Sequence, residues 1–428
     1  MKKGRGKVFV GMSGGVDSSV AAALLKQRGF DVVGVHLKCY NVDGCAEQDA
    51  EDARRAAETL GVPFYVFDME QEYKDRVVAY MVEGYRNGIT PNPDVMCNKE
   101  IKFGLFLEKA LALGADYVAT GHYVRLRRTE SVLNDGDVLA VPDVKGKQAR
   151  ASGRTTGTSR AIEQLERPKR SNTRSDTTFE LRIARDTNKD QSYFLWTLTQ
   201  KQLKHCLFPI GDYPKPEVRK LAKKFGLPNA EKKDSQGICF LGQVSLKDFL
   251  SAYIPEKKGI VVNTAGKIVG EHQGVSFYTI GQRGGLGIGG NPKPYYIAEK
   301  DVKENALLVA EDGDPALARS EVALTDVNFI SPLPSLIRAN RRIPVLARVR
   351  YRQPLFKATL ITFQNDGQHK KEQARRLNKR SDGSSVAYRL VFDKPQKFVA
   401  VGQSAVFYSA ERTNPPAGRQ VLGGGVIV

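Results

Sequence analysis

Cysteine is scarce in this chain, with five among 428 residues. That is too few for a disulfide scaffold and leaves reduced thiols available for chemical roles. No apolar run approaches the roughly 20 residues that span a bilayer. The basic start, Met1 to Lys7, is followed by an apolar stretch that ends at Ser13. This is too short for a signal peptide, so the expected location is cytoplasmic. No CxxC pair occurs, and His36, Cys39 and Cys45 lack the fourth ligand of a structural zinc site. No GxxxxGKS or GxxxxGKT string occurs, which excludes the usual phosphate loop with its lysine. Acidic residues are in deficit, 47 against 66 Lys and Arg, for a formal net charge of +19. Such an excess points to a polyanionic partner, nucleic acid before membrane surface. A basic surface kept for solubility is the plainer alternative.

What is present begins at Gly11-Met12-Ser13-Gly14-Gly15-Val16-Asp17-Ser18-Ser19. The segment follows the apolar run Val8-Phe9-Val10 and precedes the helical pattern Val20 to Leu25. A strand, a Gly/Ser turn and a helix start in that order make an anion cradle. Glycines admit close approach of backbone N–H groups, and the helix dipole favours negative charge there. An ordinary strand–helix turn, N-capped by Asp17 or Ser18, is the bland reading. Around it, strands alternate with helices. Asp31 to His36, Phe64 to Phe67 and Tyr117 to Thr120 read as strands. Helical spacing links Ala46, Ala50, Ala53, Ala57 and Leu60, then Tyr73, Val77, Met81 and Tyr85, then Phe103, Phe106, Leu107 and Ala110. The pattern predicts an α/β domain with a doubly wound parallel sheet and ligands at the carboxyl ends of its strands. The glycine loop, the His36-Leu37 step and Thr120-Gly121-His122 would converge there.

Arg125 to about Thr178 is rich in Arg, Ser, Thr and Lys without sustained periodicity, and reads as a largely disordered basic insertion. A second polar stretch, Gln364 to Ser385, reads as an extended hairpin loop. After Asp190 the chain becomes helical. Pro216 can open a helix whose polar face carries Arg219, Lys220, Lys223 and Lys224, a candidate RNA-backbone surface. From Gly259 short strands and turns take over, including Val275 to Tyr278, and predict one or two small β-barrels. The expected domains are 1–204, α/β and catalytic, with the insertion at about 126–178; 205–256, small and mainly helical; and 257–428, β-rich, with a polar loop at about 364–385. Among the cysteines, Cys97 lies just before a helix and near Lys99, an environment that lowers a thiol pKa. Cys239 lies in a turn of the second zone, and Cys206 between helical apolar positions.

The string Ser13 to Ser19 resembles the PP-loop of the N-type ATP pyrophosphatases. Thr90-Pro91-Asn92-Pro93-Asp94-Val95-Met96-Cys97-Asn98-Lys99, Ala119-Thr120-Gly121-His122-Tyr123, Lys189-Asp190-Gln191-Ser192-Tyr193-Phe194-Leu195 and Gly237-Ile238-Cys239-Phe240 follow in one order. Together they resemble the bacterial tRNA-specific 2-thiouridylases, over nearly the whole chain apart from the two polar insertions. The resemblance implies ATP-dependent 2-thiolation of a tRNA wobble uridine, with AMP and pyrophosphate released. It implies ATP contacts at Gly11, Met12, Ser13, Gly14, Gly15, Val16, Asp17, Ser18, Leu37 and Gly121, with Mg²⁺ placed near Asp17. Leu37 replaces a common family methionine, a mild exchange for an apolar pocket. The residue matching Cys239 would carry a persulfide and Cys97 would act as nucleophile, leaving a Cys97–Cys239 disulfide to be reduced.

Asn92, Pro93 and Asp94 would meet the target base. Lys189, Asp190, Gln191, Arg350, Tyr351, His122 and Gln403 would meet tRNA. The implied partners are tRNAs of the Lys, Glu and Gln type and a persulfide sulfur-relay protein or cysteine desulfurase, with no membrane. The residues alone leave alternatives: Asn92-Pro93-Asp94 is also a good turn, Arg350-Tyr351 an ordinary strand surface, and His122 a satisfied sheet-edge histidine. Rival functions are a PP-loop ligase with a nitrogen nucleophile and a non-catalytic tRNA-binding protein. An iron–sulfur cluster on Cys97, Cys239 and a third ligand is a further alternative, although no clustered Cys motif supports it.

Overall fold

The structure is a computed structural model that describes residues 5–42, 44, 46–131, 176–233, 241–242, 244–288, 293–330, 341–364, 378–379, 385–411 and 418–428. Cys45 and Cys239 lie outside the described residues, as do most of the two polar stretches.

Five parallel strands form the first sheet, in the order β3 (Phe64–Asp68), β2 (Asp31–Lys38), β1 (Lys7–Gly11), β4 (Tyr117–Thr120) and β7 (Cys206–Leu207). Val8, Phe9 and Val10 in β1, and Val32 to His36 in β2, are buried, because helices cover both faces. On one face, α1 (Val16–Gln27), α2 (Ala46–Leu60) and the helix Lys215–Lys224 enclose Val8, Val10, Leu24, Ala57 and Val218. On the other, helices at 70–86 and 93–112 enclose Phe9, Val35, Met81, Phe106 and Val118. Each of these two helices widens to a π-type stretch, at Lys74–Val78 and at Cys97–Leu105. Strand order reverses at β1, which has β2 on one side and β4 on the other. The cleft at that reversal lies beyond the carboxyl ends of β1 and β4. The expected doubly wound sheet is present, and it continues past residue 204 through β7.

Arg125 to Ser131 departs from the expected irregular insertion. It belongs to β5 (Val124–Ser131), which pairs with β6 (Asp176–Ile183). Among its described side chains the buried ones, Val124, Leu181 and Ile183, gather at one end of the ribbon, so no amphipathic period runs along it. Residues 128–131 and 176–178 belong to a second unit, and there the Thr129 and Thr178 hydroxyls lie 2.7 Å apart. After Asp190 the expected helix is a single turn, Ser192–Phe194, followed by the short helix Gln200–Leu203.

A four-stranded sheet follows, ordered β10 (Tyr295–Asp301), β11 (Ala306–Glu311), β8 (Gly259–Asn263) and β9 (Ile268–His272). Val275–Phe277, expected as a strand, is a 3-10 turn. It is entered through Gly274 at φ 137°, a backbone angle that takes the chain out of the extended ladder. The last region is a closed barrel. Its ring runs β12 (Ala318–Phe329), β18 (Val421–Ile427), β17 (Ser404–Ser409), β13 (Arg341–Arg348), β14 (Phe356–Gln364) and β16 (Ser385–Lys397), and pairing of β16 with β12 closes it. β15 (Asn378–Lys379) adds to β16 outside the ring. Closure removes the free edges that a six-strand open sheet would expose, around a core of Val322, Leu324, Val345, Leu360, Leu390 and Phe407. Among the described residues no helix is long and apolar enough to cross a membrane.

Candidate active site

The glycine loop occupies the turn from β1 to α1. Met12 N–H donates to the Val35 carbonyl at 2.7 Å and extends the ladder by one residue. Gly14 then turns at φ 74°, and a Cβ there would stand 2.3 Å from the Asp49 carbonyl oxygen. Only glycine fits. Ser13 N–H donates to Ser18 Oγ at 3.2 Å, and the Ser18 and Ser19 hydroxyls donate to the Gly15 carbonyl at 3.3 and 3.1 Å. No side chain caps α1 at Gly15, so the positive end of the helix faces the turn. Gly121, at the end of β4, abuts the first turn of α1: a Cβ there would lie 2.6 Å from Ser18 N. Leu37, near the end of β2, is partly buried against the apolar core. A glycine cradle with an uncapped helix start is a good fit for a polyphosphate.

Lys215, Tyr123, Asn229 and Lys232, none of them expected as site residues, hold this loop and the helix beside it. Lys215 Nζ bonds both oxygens of Asp17 at 2.8 and 2.9 Å, and Tyr123 donates its hydroxyl to Asp17 Oδ1 at 2.8 Å. A cation on bound phosphates would therefore share Asp17 with a lysine that is itself buried. Asn229 Nδ2 donates to the Gly14 carbonyl at 2.8 Å and to Ser19 Oγ at 3.0 Å, and Lys232 bonds Asp49 and Asp52 at 2.7 and 2.6 Å. Arg219, expected to face RNA, instead donates to the carbonyls of Ala230 and Lys232, at 3.0 and 3.1 Å, and so braces the same segment. A cavity of about 300 Å³ lies beside it, lined by Asp52, Arg55, Pro228, Asn229 and Lys232. The only local signal for Lys215 was its place at a helix start after Pro214. His36 Nδ1 is 3.0 Å from the Met12 carbonyl, which can only accept, so Nδ1 carries the proton. Burial holds the His36 pKa below its usual value, and the ring braces the loop as a neutral group. Among the described residues no three His, Cys, Asp or Glu side chains gather as a metal site.

Cys97 stands within the helix at 93–112, one turn after its start, and not before it. Asn92 is the N-cap and accepts from Val95 N–H at 3.2 Å, Pro93 follows at the first helical position, and Asp94 is half-buried. Cys97 is buried, and burial pushes its thiol pKa up, against the opposing pull of Lys102 and a Tyr73 hydrogen bond. The expected lowering is thus corrected: desolvation outweighs the helix start and the nearby cations. Cys206 is buried too, with its thiol pKa also raised.

Residues 190–198 form the seat of the C-terminal barrel. Asp190 and Arg348 make a buried ion pair at 2.6 Å, with side-chain exposures of 2% and 8%. Ser192 Oγ donates to Asp190 Oδ2 at 2.8 Å, and Arg348 donates to the Tyr408 hydroxyl at 2.7 and 2.9 Å. Tyr193 donates its hydroxyl to the Ser404 carbonyl at 2.8 Å, and Trp196 Nε1 to Ser404 Oγ at 3.0 Å. Asn98 ties the seat to the Cys97 helix, donating to the Asp94 carbonyl at 3.0 Å and reaching the Phe194 carbonyl at 3.5 Å.

The family model described as the tRNA methyl transferase HUP domain matches residues 6–148 and 162–243. A PRC-barrel domain model of the same name matches 247–311, and an aminomethyltransferase beta-barrel domain model matches 368–427. The tRNA-specific 2-thiouridylase MnmA of Streptococcus uberis is 39% identical over 98% of this chain and 95% of its own. That of Bacillus pumilus is 40% identical over 98% and 94%, and MnmA 2 of Geobacillus kaustophilus 38% identical over 98% and 94%. The chain belongs to the tRNA-specific 2-thiouridylase family.

Within this thiouridylase fold, the remaining expected site residues meet protein groups. Gln191 accepts from Tyr123 N–H at 2.9 Å through Oε1, Asp190 is enclosed by the Arg348 network, and Lys189 N–H turns onto Asp186. Tyr351 packs on Phe194 with ring centroids 4.4 Å apart, which brings the 189–194 and 350–351 segments together. Arg350 donates to the Ile280 carbonyl at 3.1 Å. His122 is buried between Phe103 and Phe208, its Nδ1 2.7 Å from Thr120 Oγ1, and burial drives its pKa well down. Gln403 donates to the carbonyls of Thr90 and Pro91.

Proposed function

We propose that this chain is an ATP-dependent tRNA-uridine 2-sulfurtransferase acting on the wobble base. The observation that carries the reading is the full-length identity to 2-thiouridylases, joined to a glycine cradle at the strand-order reversal of the sheet. ATP with Mg²⁺, when bound, makes the oxygen at carbon 2 of uracil a leaving group. The Ser13 to Ser18 turn would hold the phosphates, and Lys215 would trade part of its bond to Asp17 for them. Asn92, Pro93 and Asp94 would seat the base beside Cys97. The sulfur would come from a persulfide on Cys239: its outer sulfur bonds to carbon 2 as AMP departs, and the Cys97 thiolate takes the inner sulfur, closing a Cys97–Cys239 disulfide. A raised Cys97 pKa means that this thiol needs a proton acceptor when tRNA is bound. Lys-, Glu- and Gln-type tRNAs and a persulfide relay protein or desulfurase complete the proposed partners.

Nucleoside mass spectrometry of tRNA from cells lacking the chain tests the reading. The 2-thio group at wobble uridines should vanish, return with the wild-type chain, and stay absent with Cys97→Ser or Cys239→Ser. Unchanged 2-thiouridine in the deletion, or rescue by both serine variants, would overturn it; retained turnover without either thiol is the signature of a nitrogen-nucleophile ligase.

A further inference from the structure

Cys97 and Tyr73 belong to one apolar cluster, with Met69, Val77, Met81 and Ile101. Cys97 is 6% exposed and Tyr73 3%. Tyr73 ends the helical turn Glu70–Tyr73, and the π-type stretch Lys74–Val78 starts at the next residue. Cys97 itself opens the other π-type stretch, Cys97–Leu105. The two widened stretches pack against each other, and Arg76 of one pairs with Glu100 of the other at 3.5 Å. Gly104 permits the second widening, because a Cβ there would stand 2.9 Å from the Lys99 carbonyl oxygen. Such stretches are rare and occur frequently at functional sites. Where these helices meet, the Tyr73 hydroxyl hydrogen-bonds the Cys97 sulfur. The charges acting on that sulfur come from its own helix: Lys102, which favours the thiolate, and Asp94, which opposes it. On the neighbouring helix the nearby cation, Arg76, is taken up by Glu100.

We propose that Tyr73 is a catalytic hydrogen-bond donor for sulfur transfer: its hydroxyl holds the Cys97 sulfur and stabilises the thiolate that attacks Cys239. This rests on the function proposed above. A neutral thiol is a weak acceptor, whereas a thiolate takes a charge-assisted bond. The bond therefore strengthens as the nucleophile forms, and burial away from water strengthens it further. A donor already in place costs no reorganisation at that moment. Tyr73 keeps its proton throughout. The Cys97 S–H proton leaves to water, and the thiolate bonds the Cys239 sulfur. The electron pair of the broken persulfide S–S bond stays on the outer sulfur, already joined to carbon 2 of uracil, which becomes the 2-thio group.

The test compares wild type with Tyr73→Phe in the full chain, a change that removes the hydroxyl and keeps the ring in the apolar cluster. Without tRNA or ATP, the pH midpoint for iodoacetamide alkylation of Cys97, read by peptide mass spectrometry, should rise by about one unit, the tenfold that one hydrogen bond to a charged group is worth. Single-turnover thiolation at saturating tRNA, from chain carrying a persulfide on Cys239, should slow about tenfold at pH 7. The deficit should narrow as pH rises to 9.5, while the Kd for tRNA stays within twofold. An unmoved or lowered Cys97 midpoint would overturn the proposal. So would a loss of turnover that is equal at every pH, which is the mark of disturbed packing. If wild type itself makes no 2-thiouridine, the proposed function fails, whereas the two alkylation midpoints still judge whether Tyr73 stabilises the Cys97 thiolate.

Discussion

Replacing Arg348 with methionine removes the cation from a buried pair while keeping most of the side-chain volume. Asp190 would then keep Ser192 Oγ and the N–H groups of Ala184 and Ser192, but lose its counter-charge at 2.6 Å. Tyr408, whose hydroxyl pKa burial already pushes up to about 12, would lose its donor. Removing one member of a buried pair costs about 3–5 kcal/mol, because the remaining charge stays desolvated. Replacing both members with apolar residues is often neutral. Trp196 is the chain's one tryptophan and lies in this seat, so its fluorescence reports barrel docking. With a urea slope of about 1–3 kcal/mol per molar, Arg348→Met should move the Trp196 transition down by about 1 M or more. The double variant Asp190→Leu with Arg348→Met should recover most of that loss. A midpoint for Arg348→Met equal to wild type would refute the reasoning, as would a double variant as unstable as the two single losses added.

Other perturbations read other parts of the site. Cys97 should alkylate with a pH midpoint above the roughly 8.5 of a free thiol, and Lys102→Gln should move it higher, since Lys102 opposes the burial effect; peptide mass spectrometry against pH gives the curve. Gly14→Ala places a methyl against the Asp49 carbonyl at a left-handed backbone angle, so ATP–pyrophosphate exchange should fall at least tenfold. Lys215→Met should weaken ATP binding measured by calorimetry, because it removes the cation beside the loop. Alkaline stability follows from the raised acids. Cys97, Cys206, Tyr85, Tyr193 and Tyr408 keep their protons longer when folded, so the folded state binds more protons above the unfolded pKa values. Stability should therefore fall as pH rises from about 8.5, through the cysteines, and past about 10, through the tyrosines. Lys300, lowered to about 8 by burial, opposes this between about 8 and 10.4, against two cysteines up to about 10 and against the tyrosines as well above it. Thermal midpoints at pH 7.5, 9 and 10 check the sign.

The turn from β1 to α1 was legible because its constraints are local: glycine at a left-handed angle, hydroxyls three and four residues from their acceptor, and an apolar strand before them. The parallel sheet was legible for the same reason, through continuous apolar runs and helical spacing. What stayed hidden is long-range. Lys215 meets Asp17 across 198 residues and Asn229 meets Gly14 across 215, and no periodicity marks such pairs. The Cys97 environment was misread because the helix start and the nearby cations are visible in sequence, whereas the burial that outweighs them depends on helices from elsewhere in the chain. Val275 to Tyr278 carries strand-forming residues, yet Gly274 turns the backbone out of the ladder. Asp190, Gln191 and Gln403 are polar residues in loop-like contexts, which reads as exposure. In the fold each is taken up by backbone or by a buried partner.

Under the proposed function an activated uracil and two thiols meet in one pocket. Peptide mapping after a single turnover in the absence of reductant tests it most directly, starting from chain carrying a persulfide on Cys239. With ATP and tRNA, a Cys97–Cys239 disulfide-linked peptide should rise in step with 2-thiouridine, and neither product should form without ATP. Full 2-thiouridine formation with both cysteines recovered as free thiols would contradict it.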